Sequence, residues 1–222
     1  MTEFTVFYTV SLRAELRVLP YLQTLIAQER ARSKGPTLLV DLGESCRADW
    51  PICRATEGRA ALVAMDGMGY DAFYLSQEEP LARDNMTLGK LRDTVLTAVL
   101  LPGEAVTLRK KLGEEQYVNV RIAGGEVLDA SDADLTLLLS RGLPLASRVT
   151  ESGAILIEDR REARIPELGR VDIRVTETDD GRAVEIINQT RLAIPAGIRP
   201  DASILSVVEF VESEAAQAAR RR

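Results

Sequence analysis

The stretch from Thr37 to Glu79 constrains the fold most. An apolar run, Leu38-Leu39-Val40, closes on Asp41-Leu42-Gly43-Glu44-Ser45. An irregular loop follows, then a helical pattern ending at Gly69, then Tyr70-Asp71-Ala72-Phe73-Tyr74-Leu75, which closes on Ser76-Gln77-Glu78-Glu79. Two short apolar runs separated by a helix read as buried strands of a βαβ unit, because strands covered on both faces lose the polar alternation of a half-exposed sheet. Both runs end in polar residues, and open α/β sheets place their sites at strand ends.

The flanking segments continue the pattern. Residues 4–10 are rich in Phe, Val, Tyr and Thr and predict a first strand. Pro20 suits the first turn of a helix that turns Leu22, Leu25 and Ile26 inward and stops near Gly35-Pro36. Thr56 is a candidate N-cap for a helix carrying Ala61, Leu62, Met65 and Met68. Residues 81–92 are polar and compatible with one helix. Strands then dominate: 94–101, 105–111, 116–122, 135–139, 154–158, 168–177 and 183–192, with Asp179-Asp180-Gly181 as a hairpin signal. Residues 1–212 are expected to form a single domain, and 213–222 a solvated polar tail with a basic tip.

Composition removes whole classes of chemistry. The 222 residues include no histidine, so neither imidazole metal ligation nor a Ser-His-Asp relay is open to this chain. None of Lys34, Lys90, Lys110 and Lys111 sits where it could serve Ser11 or Ser45. A net charge of −6 gives no electrostatic footprint for nucleic acid or acidic lipid, and no apolar run approaches a membrane span. Gly124-Gly125 and Gly142 are isolated turn glycines, not a phosphate-cradling loop. Cys46 and Cys53 fit no zinc spacing. A Met1-Thr2-Glu3-Phe4 start without a charged and apolar leader points to a cytoplasmic chain with reduced thiols, a disulfide being the alternative.

The βαβ unit resembles the calcineurin-like metallophosphoesterases, in particular the catalytic domain of the 5'-nucleotidase family. There the first of these strands ends in Gly-Asp, the helix leads into Gly-Tyr-Asp-Ala, and the next strand ends in Gly-Asn-His-Glu. Here Leu39-Val40-Asp41-Leu42-Gly43 and Gly69-Tyr70-Asp71-Ala72 keep the scaffold, while Gly43-Glu44 replaces Gly-Asp and Ser76-Gln77-Glu78-Glu79 replaces Gly-Asn-His-Glu. The family opens on a strand ending in Asp-x-His, where this chain has Ser11 and Arg13. It closes on a strand leading to Gly-His-x-His and a later strand with Gly-Arg. Here residues 135–139 lead to Arg141 and Leu143 in place of the two histidines, and Gly169-Arg170 follows. A further His-bearing segment of the family is read as shortened away.

The resemblance implies an α/β fold, a metallophosphoesterase-like sandwich of two mixed β-sheets flanked by helices. It also implies a vestigial site at Ser11, Arg13, Glu44, Gln77, Glu78, Glu79, Arg141 and Leu143. A two-metal phosphoesterase needs several His, Asp and Asn ligands around two cations, so the expectation is a pseudoenzyme with no cofactor and no bound metal. It would act as a structural or regulatory partner of another protein or of itself. The alternative is a divergent phosphoesterase or phosphate-ester binder with Arg13 and Arg141 as anion clamps. Without the charge of the metals, the carboxylates left behind need arginine; Arg13 or Arg141 is expected within salt-bridge distance of Glu44 or Glu78.

Overall fold

A computed structural model describes every residue except 1, 48, 112–116, 126–132, 161–165, 180 and 222. In chain order its elements are β1 (Thr2–Thr9), α1 (Leu19–Arg32), β2 (Thr37–Asp41), α2 (Pro51–Ala55), α3 (Arg59–Gly67), β3 (Ala72–Tyr74), α4 (Asn85–Arg92), β4 (Ala98–Leu100), β5 (Ala105–Lys111), β6 (Tyr117–Gly124), β7 (Leu135–Ser140), β8 (Arg148–Val149), β9 (Ile155–Glu158), β10 (Glu167–Thr178), β11 (Gly181–Ala193) and α5 (Ala202–Arg220). They form two sheets, ordered β11-β10-β1-β2-β3-β4 and β5-β6-β7-β9-β8. Strands β1 to β4 are parallel, as are β6, β7 and β9, while β10, β11, β5 and β8 join antiparallel, so both sheets are mixed.

Period-2 geometry explains the near-continuous apolar runs. In β1 and β2 the side chains Val6, Tyr8, Leu38 and Val40 face the second sheet and meet Ile122, Leu137, Leu139, Ile155 and Ile157. Their neighbours Phe7 and Leu39 face the other way, onto Leu22, Ile26, Leu62, Met65 and Val208. Each of the five α-helices adds buried residues to that outer cluster, so the helical layer covers the first sheet. Burying a Phe or Leu side chain contributes about 1.5–3 kcal/mol, and Phe7, Phe73, Leu38 and Leu39 are all fully buried.

Several expected boundaries move for local reasons. The segment 81–92 is a 3-10 turn, Pro80–Arg83, followed by α4, because the Asp84 carboxylate accepts from the Met86 and Thr87 amides and starts a new helix. Thr56 is not the N-cap of α3, which begins after Gly58 at φ 86°, although the Thr56 hydroxyl accepts from the Ala60 amide at 3.2 Å. The irregular loop 45–55 contains α2, begun by Pro51. The two-residue β8 is too short to leave a pattern in the sequence. The boundary at 212 falls inside α5, where Val211 and Ala215 are both buried and the helix packs on α1, α2 and α3. Only Arg221 of the expected tail follows α5 among the described residues.

Two further differences bear on function. Cys46 and Cys53 are joined in a disulfide across a Cα–Cα distance of 5.6 Å, in place of the expected thiols. In the β10–β11 hairpin, closed by Thr178 opposite Gly181, the register skips Ile187 between Asp172 and Ile173, a β-bulge. Before the bulge Val184 and Ile186 face the inter-sheet core; after it Gln189 and Arg191 point to the same side, toward Ser147 and Asp159. Among the described residues no helix is long and apolar enough to cross a membrane.

Candidate functional site

The parallel strands β1, β2 and β3 end at one edge of the first sheet, and β7 and β9 end beside them. The loops after β1 and β2 are zipped together: Leu42 N–H donates to Thr9 O at 2.8 Å, Ser11 N–H to Gly43 O at 2.9 Å and Ala14 N–H to Ser45 O at 2.9 Å. This pairing holds Ser11, Arg13, Ala14 and Glu44 at positive φ of 53–63°, a region costly for residues with a Cβ. Gly43, at φ 98°, faces the Tyr74 carbonyl so closely that a methyl group could not enter. Below them Asp41 accepts from the Thr9 hydroxyl at 2.7 Å, the Ser45 hydroxyl at 2.9 Å and the Gly43 amide at 3.0 Å, which locks the turn.

Glu44 is the centre of the edge. One oxygen accepts from the Ser11 hydroxyl at 2.7 Å; the other lies 2.9 Å from Arg141 Nη1 and 3.1 Å from Arg47 Nη1. The Arg141 contact is close but off the angle of a hydrogen bond, so it is an ion pair. Burial alone would raise the Glu44 carboxyl, but the Ser11 hydrogen bond and the two guanidiniums outweigh it and hold the group below its ordinary range. Arg141 also reaches within 3.8 Å of Glu78, and Arg47 within 3.2 Å of Asp49.

Glu79 sits beneath, 2% exposed. Its Oε1 accepts from the Glu44 amide at 2.9 Å and the Ser76 amide at 3.2 Å, and the Cys46 amide also bonds the carboxylate. Burial nevertheless pushes its pKa up to about 8, against those amides and with the help of nearby Asp41. The group is therefore protonated at neutral pH.

A second polar cluster closes the edge toward β11. Asp159, fully buried just past β9, takes the Arg191 guanidinium, the Tyr8 hydroxyl at 3.0 Å and the Leu145 amide at 3.1 Å. Burial raises its carboxyl, but Arg191 and the Leu145 amide bring it below the ordinary value. Glu158 pairs with Arg148 at 2.8 Å and presses on Gly142, where a Cβ would collide with its carboxylate.

The structure gathers Ser11, Glu44, Glu79 and Arg141, with Glu78 at the rim. It does not bring in Gln77, which is exposed and lines a separate cleft with Arg83 and Pro102, nor Leu143, which is 64% exposed. Strand β3 ends at Tyr74, so the tetrapeptide after it is a turn and the alternation of a strand no longer applies: Glu79 turns in and Glu78 out. The Arg13 amide donates to Glu44 O at 3.3 Å, but its guanidinium makes no ion pair among the described residues. Sequence reasoning missed Arg47, Ser76, Glu158 and Asp159. The polar Glu158-Asp159 end of an apolar run was the available signal.

The metal pair that the resemblance implies does not fit these donors. Both oxygens of Glu44 are committed to Ser11 and arginines, Glu79 is held by backbone amides, and a cation at Arg141 is repelled by any other placed beside it. Among the described residues no group of three His, Cys, Asp or Glu side chains is placed to hold a metal ion.

No family profile matches the sequence, and no curated protein does. Solved structures do match. The calcineurin-like phosphoesterase YfkN from Bacillus subtilis superposes with a TM-score of 0.69 over 99% of both chains, at 12% identity. The chain has the calcineurin-like phosphoesterase fold. The NAD nucleotidase NadN of Haemophilus influenzae (TM-score 0.66, 10% identity) and a 5'-nucleotidase precursor from Thermus thermophilus (0.65, 12%) share this fold over 97% of the present chain. The chain spans about 60% and 59% of the length of those two. At such identities the likeness is one of architecture, and the side chains at the edge have to speak for the chemistry.

Proposed function

We propose that this chain is a non-catalytic member of the calcineurin-like phosphoesterase fold, with arginine–carboxylate pairs standing where relatives would hold cations. The observation that carries the reading is Arg141 set against Glu44, with Ser11 and Arg47 completing the shell of that carboxylate. A guanidinium supplies fixed positive charge, as a cation would, but it neither activates a water nor leaves a coordination position for a phosphoryl oxygen. Chain order suggests that β9, the strand preceding Gly169-Arg170, occupies the Gly-His-x-His place with Glu158-Asp159, and that Arg141 takes the place of the family's intervening histidine.

A role through binding, to another protein or to itself, is the function such a site leaves. The second reading, a phosphate-ester binder, draws on Arg13, whose guanidinium is unpaired among the described residues, but Arg141 is already engaged by Glu44. The reduced thiols expected with a cytoplasmic setting are replaced by a disulfide, which gives that setting no support. The test is a screen of nucleotides and phosphodiesters with Mn²⁺ and Zn²⁺ present. We expect no turnover above the buffer rate; metal-dependent turnover abolished by Glu44→Ala would overturn the reading, and saturable nucleotide binding lost in Arg13→Met would favour the second one.

A further inference from the structure

We propose that the Cys46–Cys53 disulfide is a redox clasp on the candidate site: oxidised, it fixes the loop after β2 against the edge; reduced, it releases that loop and the pocket beneath. The bond closes a loop that carries Arg47, which pairs with Glu44, and Asp49, which pairs with Arg47. Cys46 also contributes one of the backbone amides that bind the buried Glu79. At the other end Cys53 belongs to α2, which packs on α5. The disulfide thus ties the strand-end turn to the helical layer. The loop roofs a pocket of about 230 Å³ lined by Glu44, Arg47, Asp49, Ser76, Glu78 and Glu79.

Both half-cystines are buried in the helix-side core, at 3% and 0% exposure. A reductant therefore reaches the sulfurs only when the segment opens, which makes the bond slow to exchange and the clasp persistent once formed. With a dithiol as reductant, two electrons and two protons pass to the cystine; the S–S bond breaks, two cysteine thiols form, and the dithiol closes to its own disulfide. Nothing else is consumed. After reduction the loop regains its chain freedom, and the Arg47–Glu44 pair, half exposed on the arginine side, is too weak to hold it alone.

The chain carries its own reporter, since Trp50, its one tryptophan, lies inside the clasped loop, partly buried against the core with the Arg47 guanidinium 5.9 Å from its ring centre. The experiment uses the full chain purified without reductant and quenched with an alkylating agent. We expect no alkylated cysteine before reduction and two after it. Reduction of the folded protein should red-shift Trp50 emission and speed amide exchange at Glu44, Cys46 and Ser76, with β10 unchanged. The Tm should fall by about 5–10 °C, from the loop-closure entropy of so short a loop. The Cys46→Ser/Cys53→Ser variant should reproduce these changes without reductant. Two alkylated cysteines in the quenched native protein would overturn the proposal, as would a reduced protein whose Trp50 emission and loop exchange match the oxidised form.

Discussion

At Glu44 a single carboxylate is shared between a hydroxyl and two guanidiniums, and the pairing is asymmetric: Arg141 is about one-quarter exposed, Arg47 nearly half. Arg141 is therefore the partner whose loss leaves the carboxylate least compensated. Breaking one member of a buried pair costs roughly 3–5 kcal/mol; allowing for partial exposure, we expect Arg141→Met to cost about 2–3 kcal/mol. Thermal unfolding should show that loss, while Arg13→Met leaves the Tm within about 2 °C of wild type. Glu79 gives a pH signature. Its folded pKa, about 8, lies above the unfolded value of 4.5, so between those values the native state holds a proton that the unfolded state has lost. Stability contributed by Glu79 accordingly falls as pH rises from 4.5 through 8. Glu44 and Asp159 act in the opposite sense: their folded values are depressed, and the stability they add above the unfolded carboxylate range is lost on acidification. Tm should thus decline from pH 6 to 8.5 in the wild type, and Glu79→Gln should flatten that decline without altering the acid limb. An unchanged slope in Glu79→Gln would assign the pH dependence elsewhere. Of these residues, Ser11, Glu44 and Arg141 were legible because each lies just past the end of an apolar strand, where the resemblance puts a ligand position. Glu79 was named with Glu78, but which of the two turns inward depends on where β3 stops, and strand ends are poorly marked in sequence. Thiols were expected where the disulfide stands, since a spacing of seven suits a bridge and a thiol pair equally; the loop's path decides it.

Among the elements, the long periodic ones were readable and the short ones were not. Strands β1, β2, β5, β7, β9, β10 and β11 lie close to their expected spans, because apolar runs bounded by turn residues leave few alternatives. Helix α2, five residues long, and strand β8, two residues long, are set by tertiary context. The bulge in β11 was invisible too, since Ile187 looks like any β-branched strand residue, yet it decides which face Gln189 and Arg191 present. Deleting Ile187 removes the residue that the register already skips, so strict alternation returns with Gln189 and Arg191 still on the side of Val184 and Ile186, and Arg191 keeps the fully buried Asp159 as its partner. We expect Arg191→Met, which leaves the Asp159 carboxylate without its guanidinium, to cost about 3–5 kcal/mol in denaturant unfolding, and the Ile187 deletion to cost less. A Cm close to wild type in Arg191→Met would mean that Asp159 finds its counter-charge elsewhere.

On the scale of the whole molecule, two sheets and a helical layer persist at 10–12% identity to proteins named as phosphoesterase and nucleotidases. That persistence is physical: the two cores are built from apolar side chains of similar volume, and many sequences satisfy such packing. The strand ends are under no such constraint, and there this chain sets guanidiniums among carboxylates at Glu44, Glu158 and Asp159. In the proposed function those pairs stand in for cations. Equilibrium dialysis of the purified full chain against micromolar Mn²⁺, Zn²⁺ and Fe²⁺, with metal counted per protein by mass spectrometry, tests this most directly. We expect less than about 0.1 ion per chain after removal of free metal. Two ions per chain, lost together in Glu44→Ala, would contradict it.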